Sequence, residues 1–184
     1  MSFLSLVYSS DKKEDWRKLQ TIFFLFGNLP GVVHDVLKYK YLLSDNKRCG
    51  YISGLMFFNQ LGLSTQLPMV YEVVSNKATK DYRETKLGSA RVVVRRPRVT
   101  VTEANYKILQ FLDIFRDIDR YSEVTGDSLK EKLYRYMDKA GLTVSEMKPY
   151  FSYYPDKLYK NLVETEVIFY DCRNLTRRNE LKTN

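Results

Sequence analysis

The sequence predicts an α+β fold: a small mixed or antiparallel sheet packed with helices, followed by a helical C-terminal half. Three observations predict it. Two short runs are rich in β-branched and aromatic residues, MVYEVVS (69–75) and RVVVRRPRVTV (91–101), and read as strands. Beyond them, Ile108, Phe111, Leu112, Phe115 and Ile118 recur at three- and four-residue spacing, the stripe of an amphipathic helix. Three hydroxyl-x-x-Glu signatures, Thr100–Glu103, Ser128–Glu131 and Thr143–Glu146, announce helix starts in that half. With 184 residues, 44% hydrophobic and 28% charged, the chain can bury one sizeable core.

The elements follow in order. Residues 1–26 form an N-terminal segment with one predicted helix, from about Asp15 to Phe26. GNLPG breaks it. VVHDVLKYKYLL (32–43) carries Val32, Val33, Val36, Leu37 and Tyr41 at helical spacing, and SDNKRCG turns the chain. YISGLMFFNQLG (51–62) reads as a helix closed by Gly62 in the C-cap position. The first strand, a loop or hairpin centred near LGSA, and the second strand follow. Pro97 puts the end of the second strand at an edge or a bend. Helices are expected from about Glu103 to Tyr121, after Ser128, after Thr143 and after Pro155. VIFYD (167–171) reads as a short strand. The core spans 27–170, and 171–184 is a polar tail.

The chemistry is sparse. The single histidine, His34, has no evident partner base, and no phosphate loop, HExxH or CxxC occurs. Cys49 and Cys172 lack metal-ligand spacing and read as reduced thiols. No metal or cofactor is expected. Asp113, Asp117 and Asp119 in FLDIFRDIDR raise a metal-dependent nuclease, but Arg116 and Arg120 lie near them. The reading preferred there is a solvated polar face opposite Phe111 and Phe115.

Charge is more informative. The chain carries a net +8, and the window 75–98 holds eight Lys or Arg against Asp81 and Glu84. On a strand, Arg91 and Arg95 share a face with Val93, while Val92 and Val94 share the other. Arg83, Lys86, Arg91, Arg95, Arg96 and Arg98 are therefore the candidate nucleic-acid contacts. The alternative is an arginine-blunted strand that resists edge-to-edge association.

Two stretches, GYISGLMFFNQLGLSTQLPMVYEVVSNKA and RVVVRRPRVTVTEANYKILQFLD, carry a resemblance. They resemble the AbiEi-type antitoxins, the antitoxin and transcriptional-regulator half of bacterial type IV toxin–antitoxin (abortive infection) systems. The matching positions are Tyr51-Ile52-Ser53, Leu61-Gly62-Leu63, Thr65-Gln66-Leu67-Pro68, Ser75-Asn76, Arg96 to Arg98, Val101-Thr102, Asn105 and Leu109 to Asp113. The resemblance covers residues 24 to 120, and the helical tail only loosely. It implies a non-enzymatic antitoxin core that supports a regulator on operator DNA. The functional partner would be a nucleotidyltransferase-like toxin, with no direct complex assumed. Family members usually begin with a winged helix-turn-helix, and residues before Gly27 offer one helix at most, so the resemblance implies a core without an evident winged helix.

The expected setting is the cytoplasm, since the N-terminus lacks a signal peptide and TIFFLFGNLPGVV is too short to span a bilayer. No membrane partner is expected, and a homodimer is compatible. The alternative function is a protein-interaction module using Tyr150, Tyr153, Tyr154 and Tyr159.

Overall fold

The computed structural model describes residues 30–172. The expected helix at 15–26 and the tail beyond Cys172 lie outside them. Helix α1 (Pro30–Leu37) runs into a π-helical turn, Lys38–Leu42. Strands β1 (Leu43–Ser44) and β2 (Lys47–Arg48) form a small hairpin, and β3 (Gly50–Ser53) leads into α2 (Gly54–Gln60). Strands β4 (Val70–Ser75), β5 (Tyr82–Leu87) and β6 (Ala90–Arg95) follow. The helical half holds α3 (Tyr106–Tyr121), α4 (Gly126–Ala140), α5 (Val144–Met147) and α6 (Lys157–Glu164), with 3-10 turns at Lys148–Tyr153 and Val167–Phe169. The fold is α+β, and no helix among the described residues is long and apolar enough to cross a membrane.

The main sheet has the order β3-β4-β6-β5. Strands β4 and β6 are parallel, and the two outer pairings are antiparallel. The register separates two faces. Ile52, Val73, Val92 and Val94 face α1 and the π turn, where they bury Val33, Val36, Leu37, Tyr41 and Leu42. Tyr51, Ser53, Glu72, Val74, Val93 and Arg95 share the opposite face, across which Ser53 pairs with Glu72 and Val74 with Arg95.

Helix α3 covers only the β3 side of that second face. Tyr51, Val74, Val101 and Leu109 form one buried cluster there. Its other flank packs Phe111, Leu112 and Phe115 against Phe57, Phe58 and Leu63, and against Leu133, Met137, Leu158 and Leu162 of the following helices. The helix is thus wedged between two layers. Along β5 the second face is exposed, with Tyr82 at 53%, whereas Val93 in the middle of β6 is buried.

Several expectations change. Tyr51-Ile52-Ser53 is an edge strand, because a glycine at 54 with φ +63° ends the extended run and starts α2 one residue later. The predicted Glu103 start moves to Tyr106: Asn105 Oδ1 accepts from Thr102 N and its Nδ2 donates to Thr100 O, which makes a turn instead of a capping box. Helix α4 begins at Gly126, so Ser128 lies inside it. The box at Thr143 and Glu146 forms with both reciprocal bonds. Residues 167–169 turn as a 3-10 helix and are not a strand. Gly62 takes φ +68°, and its N–H and that of Leu63 reach back to Asn59 O and Phe58 O, closing α2 as expected. Strand β6 is internal, so the edge-blunting alternative fails; Pro97 lies just past its end, at the bend.

Candidate functional site

The parallel pair β4 and β6 ends at Val74 and Arg95. Beyond that end the chain bends through Arg96, Pro97 and Arg98 while α3 passes alongside. The space between is a cleft of about 380 Å³ lined by Tyr51, Val74, Asp81, Arg95, Arg96, Pro97, Arg98, Asp113 and Arg116.

Asp113 sits in its floor, 4% exposed. Its Oδ2 accepts from Tyr51 OH and Ser53 Oγ at 3.2 Å each, and its Oδ1 accepts from Arg116 at 3.2 Å. Desolvation raises the Asp113 carboxyl above its ordinary value, with Arg116 opposing. Burial works against the Arg116 charge, but Asp113 and Asp117 outweigh it and push its pKa up. Arg116 also grips Asp117 at 2.6 Å through a second nitrogen. The expected solvated acidic face is therefore wrong for Asp113. The helix is packed on both flanks, so the carboxylate faces the sheet.

A second buried carboxylate lies beside it. Glu72 accepts from Tyr121 OH at 2.8 Å and pairs with Arg95 at 2.7 Å. Burial raises the Tyr121 hydroxyl to about 12, helped by its bond to Glu72. Gly54 allows this approach.

The six candidate cations do not form one surface. Arg95 is largely spent on Glu72. Arg83 lies on the α1 side of the sheet, where it donates to Tyr41 OH at 3.4 Å. Lys86 and Arg91 pair in register on the second face near the hairpin, with Arg91 3.5 Å from Glu84. Arg96 and Arg98 stand at the mouth of the cleft. Arg96 meets Asp81 at 3.2 Å and Thr79 O at 3.1 Å. Arg98 donates to Tyr153 O at 3.0 Å and lies over the Tyr154 ring. The rise of a strand puts Arg91 about 13 Å from Arg95, so the exposed cations fall in two separate places, Lys86 and Arg91 near the hairpin and Arg96 and Arg98 at the cleft mouth.

Tyr51, Ser53, Glu72, Asp81, Arg116 and Tyr121 complete the site and were not among the predicted site residues. Glu72 had one readable signal, an acid inside an apolar strand, a position that calls for a partner.

The resemblance residues have structural work. Thr65 donates to Glu123 Oε2 through both N and Oγ1 at 2.8 Å, and Asn59 Nδ2 donates to Gln66 O. Asn76 holds Val101 by accepting from its N–H and donating to its carbonyl. Of the four tyrosines, Tyr154 is buried and Tyr150 half-buried, whereas Tyr153 and Tyr159 are exposed.

Compared with known proteins, the chain matches no family model, no curated protein and no solved structure.

Proposed function

We propose that the chain is a non-enzymatic regulator core of the antitoxin type that its sequence resembles, and that it contacts a polyanion, operator DNA, through cations along one face of its sheet. The observation carrying this reading is four exposed cations, Lys86 and Arg91 on the β5 side of that face and Arg96 and Arg98 just past the end of β6. Phosphate contacts need cations that solvent can reach, and these four are exposed or at a cleft mouth. Arg95 takes no part, because it neutralises Glu72. Arg83 takes no part either: it is exposed, but on the α1 side of the sheet, away from this face.

The test is binding to the chain's own upstream duplex and to a scrambled duplex, at 50 and 200 mM salt. Four neutralised phosphates cost about 150-fold over that range. The regulator reading expects preference for the upstream duplex, lost in Arg96→Glu with Arg98→Glu. Equal binding to both duplexes reduces the face to a general basic patch. No binding at either salt overturns the reading.

A second reading is favoured by one observation: Tyr153, Tyr159, Val163 and Phe169 are each 42–52% exposed on the helical half. It makes that half a protein-interaction surface. A dimer in light scattering that persists in high salt supports it.

A further inference from the structure

We infer that the cleft beyond β4 and β6 is a binding site for the phosphate group of a nucleotide-sized small molecule. It goes beyond the polyanion reading and does not rest on it.

Four guanidinium groups line the cleft, from Arg95, Arg96, Arg98 and Arg116. Arg95, Arg98 and Arg116 are held in place by the protein's own groups, so little of their side-chain freedom is lost when a ligand arrives. Each also keeps N–H donors to spare. Arg95 Nε is buried and has no protein partner. Arg98 uses one nitrogen on Tyr153 O. Guanidinium forks of this kind suit the bidentate geometry of phosphate.

Charge selects the ligand class. The two deep arginines are outnumbered by Glu72, Asp113 and Asp117, three carboxylates against two cations. The two at the mouth are not fixed in that way. Arg98 is held by a carbonyl and a ring, not by a carboxylate. Arg96 pairs with Asp81, whose side chain is 91% exposed, and an exposed pair of this kind is weak and readily exchanged. Displacing Asp81 leaves both mouth guanidiniums unpaired against one excess carboxylate at the deep end, a net positive cleft that favours a phosphate anion. The cleft volume of about 380 Å³ lies at the lower end of small-ligand pockets, more than a bare phosphate requires. Pro97, Val74 and the Tyr51 ring supply the apolar wall that the rest of a nucleotide would meet.

The experiment is calorimetric titration of the full chain with ADP, pyrophosphate and inorganic phosphate, with no nucleic acid present. Failure here is thus separate from failure to bind duplex DNA. The inference expects saturable ADP binding, displaced by pyrophosphate and weakened at least tenfold by Arg96→Ala and by Arg98→Ala. Asp81→Asn should tighten ADP binding several-fold by freeing Arg96. Asp127→Asn, the same charge change on α4 at a side chain fully in solvent, should leave it unchanged. No saturable binding at millimolar ligand overturns the inference, as does equal tightening by the two Asp variants. Inorganic phosphate binding as tightly as ADP overturns the nucleotide-sized ligand.

Discussion

The Glu72 carboxylate occupies the space where a side chain at residue 54 would begin: a Cβ on Gly54 would come within 2.5 Å of Glu72 Oε1. Gly54 has φ +63° and opens α2 directly after Ser53, the residue that pairs with Glu72 in the sheet. The strand-to-helix turn therefore passes over the carboxylate, which Arg95 and Tyr121 hold from the other side. Gly54→Ala meets both a left-handed backbone, worth about 1–2 kcal/mol, and a clash with a pinned group. The expected loss is at least ~2 kcal/mol in chemical denaturation. A loss of only about 1 kcal/mol, the backbone contribution alone, would mean that Glu72 moves aside at little cost.

Arg95 and Arg96, adjacent in the chain, should behave differently because their partners differ. Arg95→Glu would place a second carboxylate against buried Glu72. Breaking a buried pair from one side costs about 3–5 kcal/mol, so this variant should be strongly destabilised or fail to fold. Arg96→Glu disturbs only a weak exposed pair and should keep the wild-type melting temperature within a few degrees. Equal stability of the two variants would remove Glu72–Arg95 as a structural pair.

How far this was readable follows from where each partner comes from. Gly62 as a helix terminator, the Thr143–Glu146 box and the face division of Arg91, Val93 and Arg95 depend on neighbours within a few residues, and all three are visible in the sequence. The pairing of Arg95 with Glu72 depends on β4 and β6 running parallel with β5 placed outside them. No local pattern encodes that order. Asp113 misleads for a similar reason. A helix with one packed flank would leave it in solvent, but α3 is packed on two, and the sheet supplies Tyr51 and Ser53 to receive the carboxylate. Tyr51-Ile52-Ser53 misleads because an apolar run crossing a strand–helix junction has no single period.

The Thr65–Glu123 contact gives a pH-dependent prediction. Glu123 is held below its usual carboxylate range by the Thr65 backbone N–H, then by the Thr65 hydroxyl. A depressed folded-state pKa contributes stability above the unfolded value, and this is lost as pH falls through the folded value. Glu123→Gln should therefore cost most near neutral pH. The gap to wild type should close below the ordinary glutamate range, near pH 4. Denaturation midpoints of both proteins from pH 7 to pH 3 check this. A gap independent of pH would mean that shape, not charge, pins the loop.

The Asp113–Arg116 pair can be tested by removing its members singly and together. Asp113→Leu leaves Arg116 with Asp117 but strips the bond at 3.2 Å and orphans Tyr51 OH and Ser53 Oγ in the cleft floor. Losing one charged bond and leaving two hydroxyls unmatched should cost about 3 kcal/mol. Arg116 keeps Asp117 in this variant, so Asp113→Leu combined with Arg116→Met also leaves the Asp117 carboxylate, 14% exposed, without its arginine. The double variant should therefore be less stable than Asp113→Leu alone, by at least ~1 kcal/mol. Double-mutant analysis of urea midpoints reads the difference directly. If the double variant is the more stable of the two, Asp113 and not Asp117 is the partner that holds the Arg116 charge.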